Sequence, residues 1–155
     1  MKMLRRDALR FLTLSCLTIP FGAVLAKDKT LIEVWKSPSC GCCKDWVTHL
    51  EANGFKVALN DTGNNSIRSQ VGMPQKYGSC HTGIIEGYVI EGHVPADDIR
   101  KLLALKPDAV GLSVPGMPVG SPGMDGPDYQ GRQDPFDVLL IVGEEHTVFS
   151  SYHKK

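Results

Sequence analysis

Hydrophobic and polar positions along this chain switch between two periods, and the switches mark its elements. Residues 31–36 carry an apolar run, Leu31-Ile-Glu-Val-Trp35, which predicts a strand. Over residues 42–52 the apolar spacing becomes helical, with Trp46, Val47 and Leu50 on one face and Lys44, Thr48 and Glu51 on the other. Asn53-Gly54 supplies the expected C-cap. Residues 55–60 return to strand, so strand, helix and strand make a parallel pair with a right-handed crossover. A short helix is expected over 65–71. Residues 82–85 and 88–91 then flank Glu86-Gly87 as a tight hairpin. Pro95 opens a helix at its first position, with Asp97 and Asp98 in the first turn and an apolar stripe through Ile99, Leu102, Leu103 and Leu105; Lys106-Pro107 stops it. Residues 110–133, rich in Gly and Pro, read as a long ordered loop, and 137–142 with 146–151 as a terminal hairpin around Gly143-Glu144-Glu145.

Strand-helix-strand followed by a hairpin and a helix is the order of a thioredoxin-like α/β fold. Such a fold has a central mixed sheet with flanking helices, extended here by a long Gly/Pro/Met loop and a C-terminal hairpin. In it the third strand runs antiparallel to the first, so its beginning meets the first strand's end. Cys80-His81 is therefore expected against the region of Cys40. A two-residue loop at Glu86-Gly87 pairs residue 85 with 88 and, continuing, 80 with 93, which sets Cys80 opposite His93. A bulge would shift the pairing by one and bring His81 opposite instead.

Residues 1–26 carry Lys2, Arg5, Arg6 and Arg10, continue through a short apolar stretch and end in Val24-Leu25-Ala26. This is the pattern of an export signal with its cleavage site, and residues 27–155 then form a single domain. Arg5-Arg6 resembles a twin-arginine signal, with Ala8 where an aromatic is usual; a general secretory leader is the alternative. Thr13 argues against a lipid-modified Cys16. Ser15, Thr18 and Pro20 in so short a stretch argue against a membrane anchor. The expectation is a periplasmic protein without a membrane span once the signal is removed. Removal lowers the basic count from 17 by 4 and the acidic count from 17 by 1, giving a net charge of −3 with His neutral. Such a surface offers no basic footprint for nucleic acid or anionic lipid.

The signal also takes Cys16 with it and leaves Cys40, Cys42, Cys43 and Cys80. Bridging Cys40 to Cys42, or Cys42 to Cys43, would close a strained small ring; Cys40 can pair with Cys43, or one of the cluster with Cys80. Cys40-Gly41-Cys42-Cys43 lies where a strand turns into a helix, and backbone N–H groups with the positive end of the helix dipole favour thiolate over thiol there. Two chemistries compete for this position. Cys40 and Cys43 form a C-x-x-C at a helix start, a thiol-disulfide oxidoreductase pair in which one thiolate attacks and the other resolves. No other catalytic residue is assigned. Cys42 between them invites off-pathway bridges. Three adjacent thiols, a remote fourth and the imidazoles of His81 and His93 suit a soft metal instead, copper(I) above all, with crowded thiolates bridging several ions. Zinc fits less well, because its structural ligands come as spaced pairs. Met117 and Met124 add thioether donors that suit copper(I) and not zinc; the alternative is that they pin the loop to the domain. For His81 and His93 the alternative is a hydrogen-bonded structural imidazole. Met73 reads as packing and His49 as a surface residue.

Four separated motifs carry a family resemblance. They are Ser39-Cys-Gly-Cys-Cys-Lys44, Ser79-Cys-His-Thr82, Glu91-Gly-His-Val-Pro95 and Val114-Pro-Gly-Met-Pro-Val-Gly-Ser-Pro-Gly-Met124. In this order, and over nearly the whole signal-free chain, the sequence resembles the CopG-type family of periplasmic copper-resistance proteins. The resemblance implies a thioredoxin-like fold, a periplasmic location and a copper cluster held by Cys40, Cys42, Cys43 and Cys80, with His81 as a candidate. It also implies a part in copper detoxification, by binding copper or changing its oxidation state. The partners it implies are copper ions and periplasmic copper-export or resistance proteins.

Overall fold

The structure, a computed structural model, describes residues 29–153; the expected export signal lies outside the described residues. Seven strands form one mixed sheet in the order β2-β1-β3-β4-β5-β6-β7. β1 (Leu31–Lys36) turns Ile32, Val34 and Lys36 inward and leaves Leu31 and Glu33 exposed, the two-residue period of a strand. α1 (Gly41–Ala52) buries Cys43, Trp46 and Leu50 and closes at Asn53-Gly54, where Gly54 takes φ 85°. β2 (Lys56–Asn60) pairs parallel to β1, as the crossover requires. The short α2 (Asn65–Gln70) follows.

β3 (His81–Ile85) and β4 (Tyr88–Gly92) join through Glu86 and Gly87, both at positive φ, 47° and 87°. The two-residue turn keeps the ladder free of a bulge: Ile85 pairs with Tyr88 and Thr82 with Glu91. β3 is antiparallel to β1, with His81 opposite Lys36. α3 (Ala96–Leu105) starts one residue later than expected, with Pro95 as its extended N-cap. Its stripe ends at Leu103. Leu105 is 62% exposed, because at about 3.6 residues per turn it points roughly 120° away from Ile99.

The Gly/Pro segment expected as one loop contains a further strand, β5 (Gly111–Val114), parallel to β4. Four residues, Gly-Leu-Ser-Val, are too short to show a period, and only their non-local partners make them a strand. β5 lies so close to β4 that a Cβ on Gly111 would collide with the Val89 carbonyl. The rest of the loop is held by its own turns, among them Ser121 N–H to Pro118 O, Met124 N–H to Ser121 O and Asp134 N–H to Val119 O. β6 (Phe136–Val142) and β7 (Glu145–Tyr152) turn at Gly143-Glu144, one residue fewer than expected. β7 is tied to α3, where Tyr152 Oη donates to Asp98 Oδ2 at 2.6 Å and Lys101 Nζ donates to Phe149 O at 3.0 Å. The main core joins Ile32, Val34, Trp46, Leu50, Ile90, Ile99, Leu102 and Leu112 between the sheet and α1 and α3. No helix among the described residues is long and apolar enough to cross a membrane.

Gly111→Ala is expected to destabilise the protein by about 1–3 kcal/mol or more, because the new methyl forces β4 and β5 apart. Gly126, at φ −68° with open space around its Cβ position, is the control: Gly126→Ala should be neutral or stabilise by up to about 1 kcal/mol. Urea denaturation of the two variants checks both outcomes.

Candidate metal site

The site assembles where β1 ends. A turn closed by Cys40 N–H to Ser37 O leads from β1 into α1, and Cys40 stands as an extended N-cap with no side-chain capping bond. Cys40 and Cys43 are joined in a disulfide with Cα atoms 5.4 Å apart, one turn of helix bringing the pair together. Among the described residues Cys42 and Cys80 remain as free thiols. Cys80 arrives from the other direction, immediately before β3, because the antiparallel β1–β3 ladder brings that strand's start beside the end of β1. Its sulfur lies 3.5 Å from Cys43 Sγ, while Cys42 Sγ lies 3.6 Å from Cys40 Sγ. All four sulfurs fall within 4.8 Å of one another.

His81 and His93 complete the cluster on the sheet side. Cys80, His81 and His93 form a second donor group within 4.8 Å, as expected from a bulge-free hairpin that sets Cys80 opposite His93. Backbone carbonyls fix both rings. His81 Nε2 must donate to Gly92 O (2.9 Å), since a carbonyl only accepts, so Nδ1 is the bare nitrogen and lies 3.4 Å from Cys80 Sγ. His93 Nδ1 donates to Pro122 O (2.8 Å), leaving Nε2 bare and 3.7 Å from the same sulfur. Two imidazole lone pairs thus face one thiol, which has a single proton to give.

Burial sets the charge states. It pushes His81 down to about 3, with the nearby His93 and Lys36 adding to the effect. It lowers His93 as well, against the Pro122 carbonyl and Asp125. The Cys80 thiol rises to about 11, chiefly through burial and then through Cys42. The thiolate preference expected at the helix start therefore does not reach Cys80, which sits on the sheet side of the cluster. Trp46 covers His81 with ring centroids 4.2 Å apart and is itself anchored by Nε1–H to Val94 O.

Behind the cluster lies a polar lock that the sequence analysis missed. Glu91 Oε1 accepts from Ser79 N–H (2.6 Å) and Arg68 Nε (2.9 Å), and Oε2 accepts from Thr82 Oγ1 (2.6 Å). The Arg68 guanidinium also donates to Ser79 O, as does Asn64 Nδ2 at 3.1 Å. Arg68, Glu91, Asn64 and Thr82 are all buried. Burial raises the Glu91 pKa, and the donors from Thr82, Ser79 and Arg68 oppose it. Ser79 and Thr82 flank Cys80-His81, so the lock holds the segment that carries two of the donors. An Arg in a short polar helix and a Glu in a strand gave no local sign of this pairing.

The Gly/Pro loop forms another wall. Besides the Pro122 carbonyl, Gly123 sits against the first turn of α1: a Cβ there would lie 2.7 Å from both Cys42 O and Trp46 N. The two loop methionines behave differently. Met124 Sδ accepts a hydrogen bond from Tyr129 Oη at 3.2 Å, and Met117 is 40% exposed at φ 49°. Met73 is buried with Tyr77, Val89 and Ile141, the packing role expected of it. His49 is not a free surface residue. It is half-buried, and its Nε2 accepts from Ala96 N–H at 3.1 Å, satisfying one of the orphan donors at the start of α3.

Sheet, helices and cluster together define a mixed α/β protein with a Cys/His group able to bind metal. A family model described as a protein of unknown function, DUF411, matches residues 77–124. Two solved structures are similar, and both are of a copper resistance protein, CopG. Form 2 is 47% identical, with 81% of this chain and 99% of that chain covered and a TM-score of 0.73. Form 1 is 48% identical, with coverages of 80% and 98% and a TM-score of 0.72. No curated protein matches the chain. The chain belongs to the CopG copper-resistance family.

Two outcomes are expected of the metal-free protein. His81 binds its proton far less readily folded than at its ordinary value of 6.5, so below that pH the unfolded chain takes up protons that the native state refuses. Its contribution is complete above about pH 6.5 and is lost as pH falls towards 3. Urea midpoints at pH 7 and 4.5 should differ by less in His81→Asn than in the parent. Glu91→Ala leaves Arg68 buried without its carboxylate and should cost about 3–5 kcal/mol in the same assay.

Proposed function

We propose that this chain is a periplasmic copper-binding protein of copper resistance that holds more than one copper(I) ion in a thiolate-bridged cluster. The observation that carries the reading is the gathering of four cysteine sulfurs, from a helix start and a strand start, within 4.8 Å. Soft thiolates select copper(I), and so many in one place exceed what a single ion can use. When all four thiols are free, Cys40, Cys42, Cys43 and Cys80 bridge the ions, and His81 and His93 cap them on the sheet side. The donor set fits such ions, because two bare imidazole nitrogens already converge on a thiol that cannot satisfy both. Met117 and Met124 are accessory thioethers of the same loop that supplies Pro122.

The likeness to structures of a copper resistance protein supports this assignment. Export rests on residues 1–26, with the twin-arginine route delivering the domain of residues 27–155 already folded. The first four strands, in the order β2-β1-β3-β4 with α1 and α3, support a thioredoxin-like core to which β5, β6 and β7 are added. The Cys40–Cys43 couple exchanges two electrons. Its dithiol form reduces two copper(II) ions to copper(I), closing the disulfide and releasing two protons. Periplasmic copper-export or resistance proteins are the partners that receive the metal.

A second reading follows from the disulfide itself: Cys40–Cys43 at the start of α1 is also the arrangement of a thiol-disulfide oxidoreductase acting on protein partners. The two separate cleanly. Reduced protein handled without oxygen should bind more than one copper per chain by metal analysis, and Cys→Ser at any of the four positions should lower that number. The copper reading fails if metal-free protein turns over a disulfide substrate with only Cys40 and Cys43 required while copper uptake stays at one ion or none.

A further inference from the structure

Closing the Cys40–Cys43 disulfide does not consume the donors evenly. Cys42 keeps its place beside Cys40, whereas Cys80 faces Cys43 on one side and both imidazoles on the other. Every donor in the Cys80 group is untouched by the bridge. We propose that Cys80, His81 and His93 form a mononuclear copper(I) site that stays complete while the disulfide is closed, so that the oxidised protein retains one ion. The inference rests on the copper-binding reading above and adds which residues serve in the oxidised state.

Distance supports it first. An ion bonded at about 2.3 Å to sulfur and about 2.0–2.1 Å to nitrogen, with angles between tetrahedral and trigonal, separates those two ligand atoms by roughly 3.5–3.8 Å. The observed separations from Cys80 Sγ are 3.7 Å to His93 Nε2, inside that range, and 3.4 Å to His81 Nδ1, about 0.1 Å short of it. Tautomers support it next, since the Gly92 and Pro122 carbonyls occupy the opposite ring nitrogens and leave the two inward ones bare. A purely structural hydrogen-bonded cluster leaves one of these lone pairs without a donor, because Cys80 has one proton and Cys43, in the disulfide, has none.

Charge selects the ion. One thiolate and two neutral imidazoles sum to −1, so copper(I) makes a neutral site, whereas zinc would leave +1 among buried rings. Binding replaces the Cys80 S–H with a sulfur–copper bond and releases one proton to solvent. Copper stays monovalent and the disulfide stays closed, so no oxidant or reductant is required. The partly exposed Cys80 is the edge through which the ion arrives.

The test uses oxidised protein, with closure of Cys40–Cys43 verified by peptide-resolved alkylation, titrated anaerobically with copper(I) against a chromogenic chelator. One ion per chain is expected to resist the chelator, and X-ray absorption should report one sulfur and two nitrogen neighbours. Gly126→Ala, in an open part of the loop, should leave this unchanged, and Cys42→Ser reports whether the other free thiol takes part. Cys80→Ser and His93→Gln, with folding confirmed by circular dichroism, should each weaken binding by about 100-fold or more, beyond what loss of an outer contact causes. Zinc should bind at least about tenfold more weakly than copper(I). The proposal is overturned if oxidised protein retains no ion, if retention depends on Cys42, or if it survives Cys80→Ser. Should reduced protein still take up several coppers in that case, the cluster reading stands and only this inference falls; uptake by neither form sinks both.

Discussion

The strand that His81 opens, β3, is held in two ladders at once. On one side His81 pairs with Lys36 at the end of β1, and on the other the β3–β4 ladder ends at Thr82 and Glu91, two residues short of Cys80 and His93. Side chains on a strand alternate faces, so a slip of one residue in either ladder would turn Cys80 away from the disulfide or His93 away from Cys80. The Glu86-Gly87 turn prevents that slip by admitting only two residues between the strands. The meeting of the Cys80 segment with the start of α1 and with His93 follows from this double register.

Register alone does not hold Cys80 in place, since it precedes β3 and has no ladder of its own. The Glu91 carboxylate and Arg68 guanidinium do that by gripping the main chain of Ser79 from both its N–H and its C=O. A buried ion pair is a costly device for stability alone, because two charges leave water to form it. Its value here is geometric: it fixes a short segment between a 3-10 turn, Gln75–Tyr77, and a strand. The loop after β5 plays the matching part for His93, through one carbonyl and one glycine seated on α1.

The electrostatics of the cluster run in one direction. Both imidazoles are kept neutral and Cys80 is kept protonated, all by burial. The pocket thus favours the charge state that a soft cation needs in its neutral nitrogen donors, and exchanges a thiol proton for the cation at its sulfur. The disulfide at the start of α1 then divides the sulfurs into those available in either redox state and those available only after reduction.

Local patterning was enough for the first strand, both long helices and the β3–β4 hairpin, because each carries its own period and its own stop signal: Asn53-Gly54, Glu86-Gly87 or Lys106-Pro107. It was also enough for the meeting of Cys80 and His93, since a two-residue turn and strand parity determine pairing by arithmetic. Tertiary structure decided the rest. β5 is a strand only because β4 and β6 lie on either side of it. Arg68 reaches Glu91, and His49 reaches Ala96, across 23 and 47 residues of chain. Which ring nitrogens stay bare was settled by the carbonyls of Gly92 and Pro122, and which cysteines bridge by the helical turn that brings Cys40 to Cys43. Periodicity reports which face a residue takes on its own element, whereas hydrogen-bond partners and buried charges are properties of the space between elements, and that space exists only once the sheet has closed.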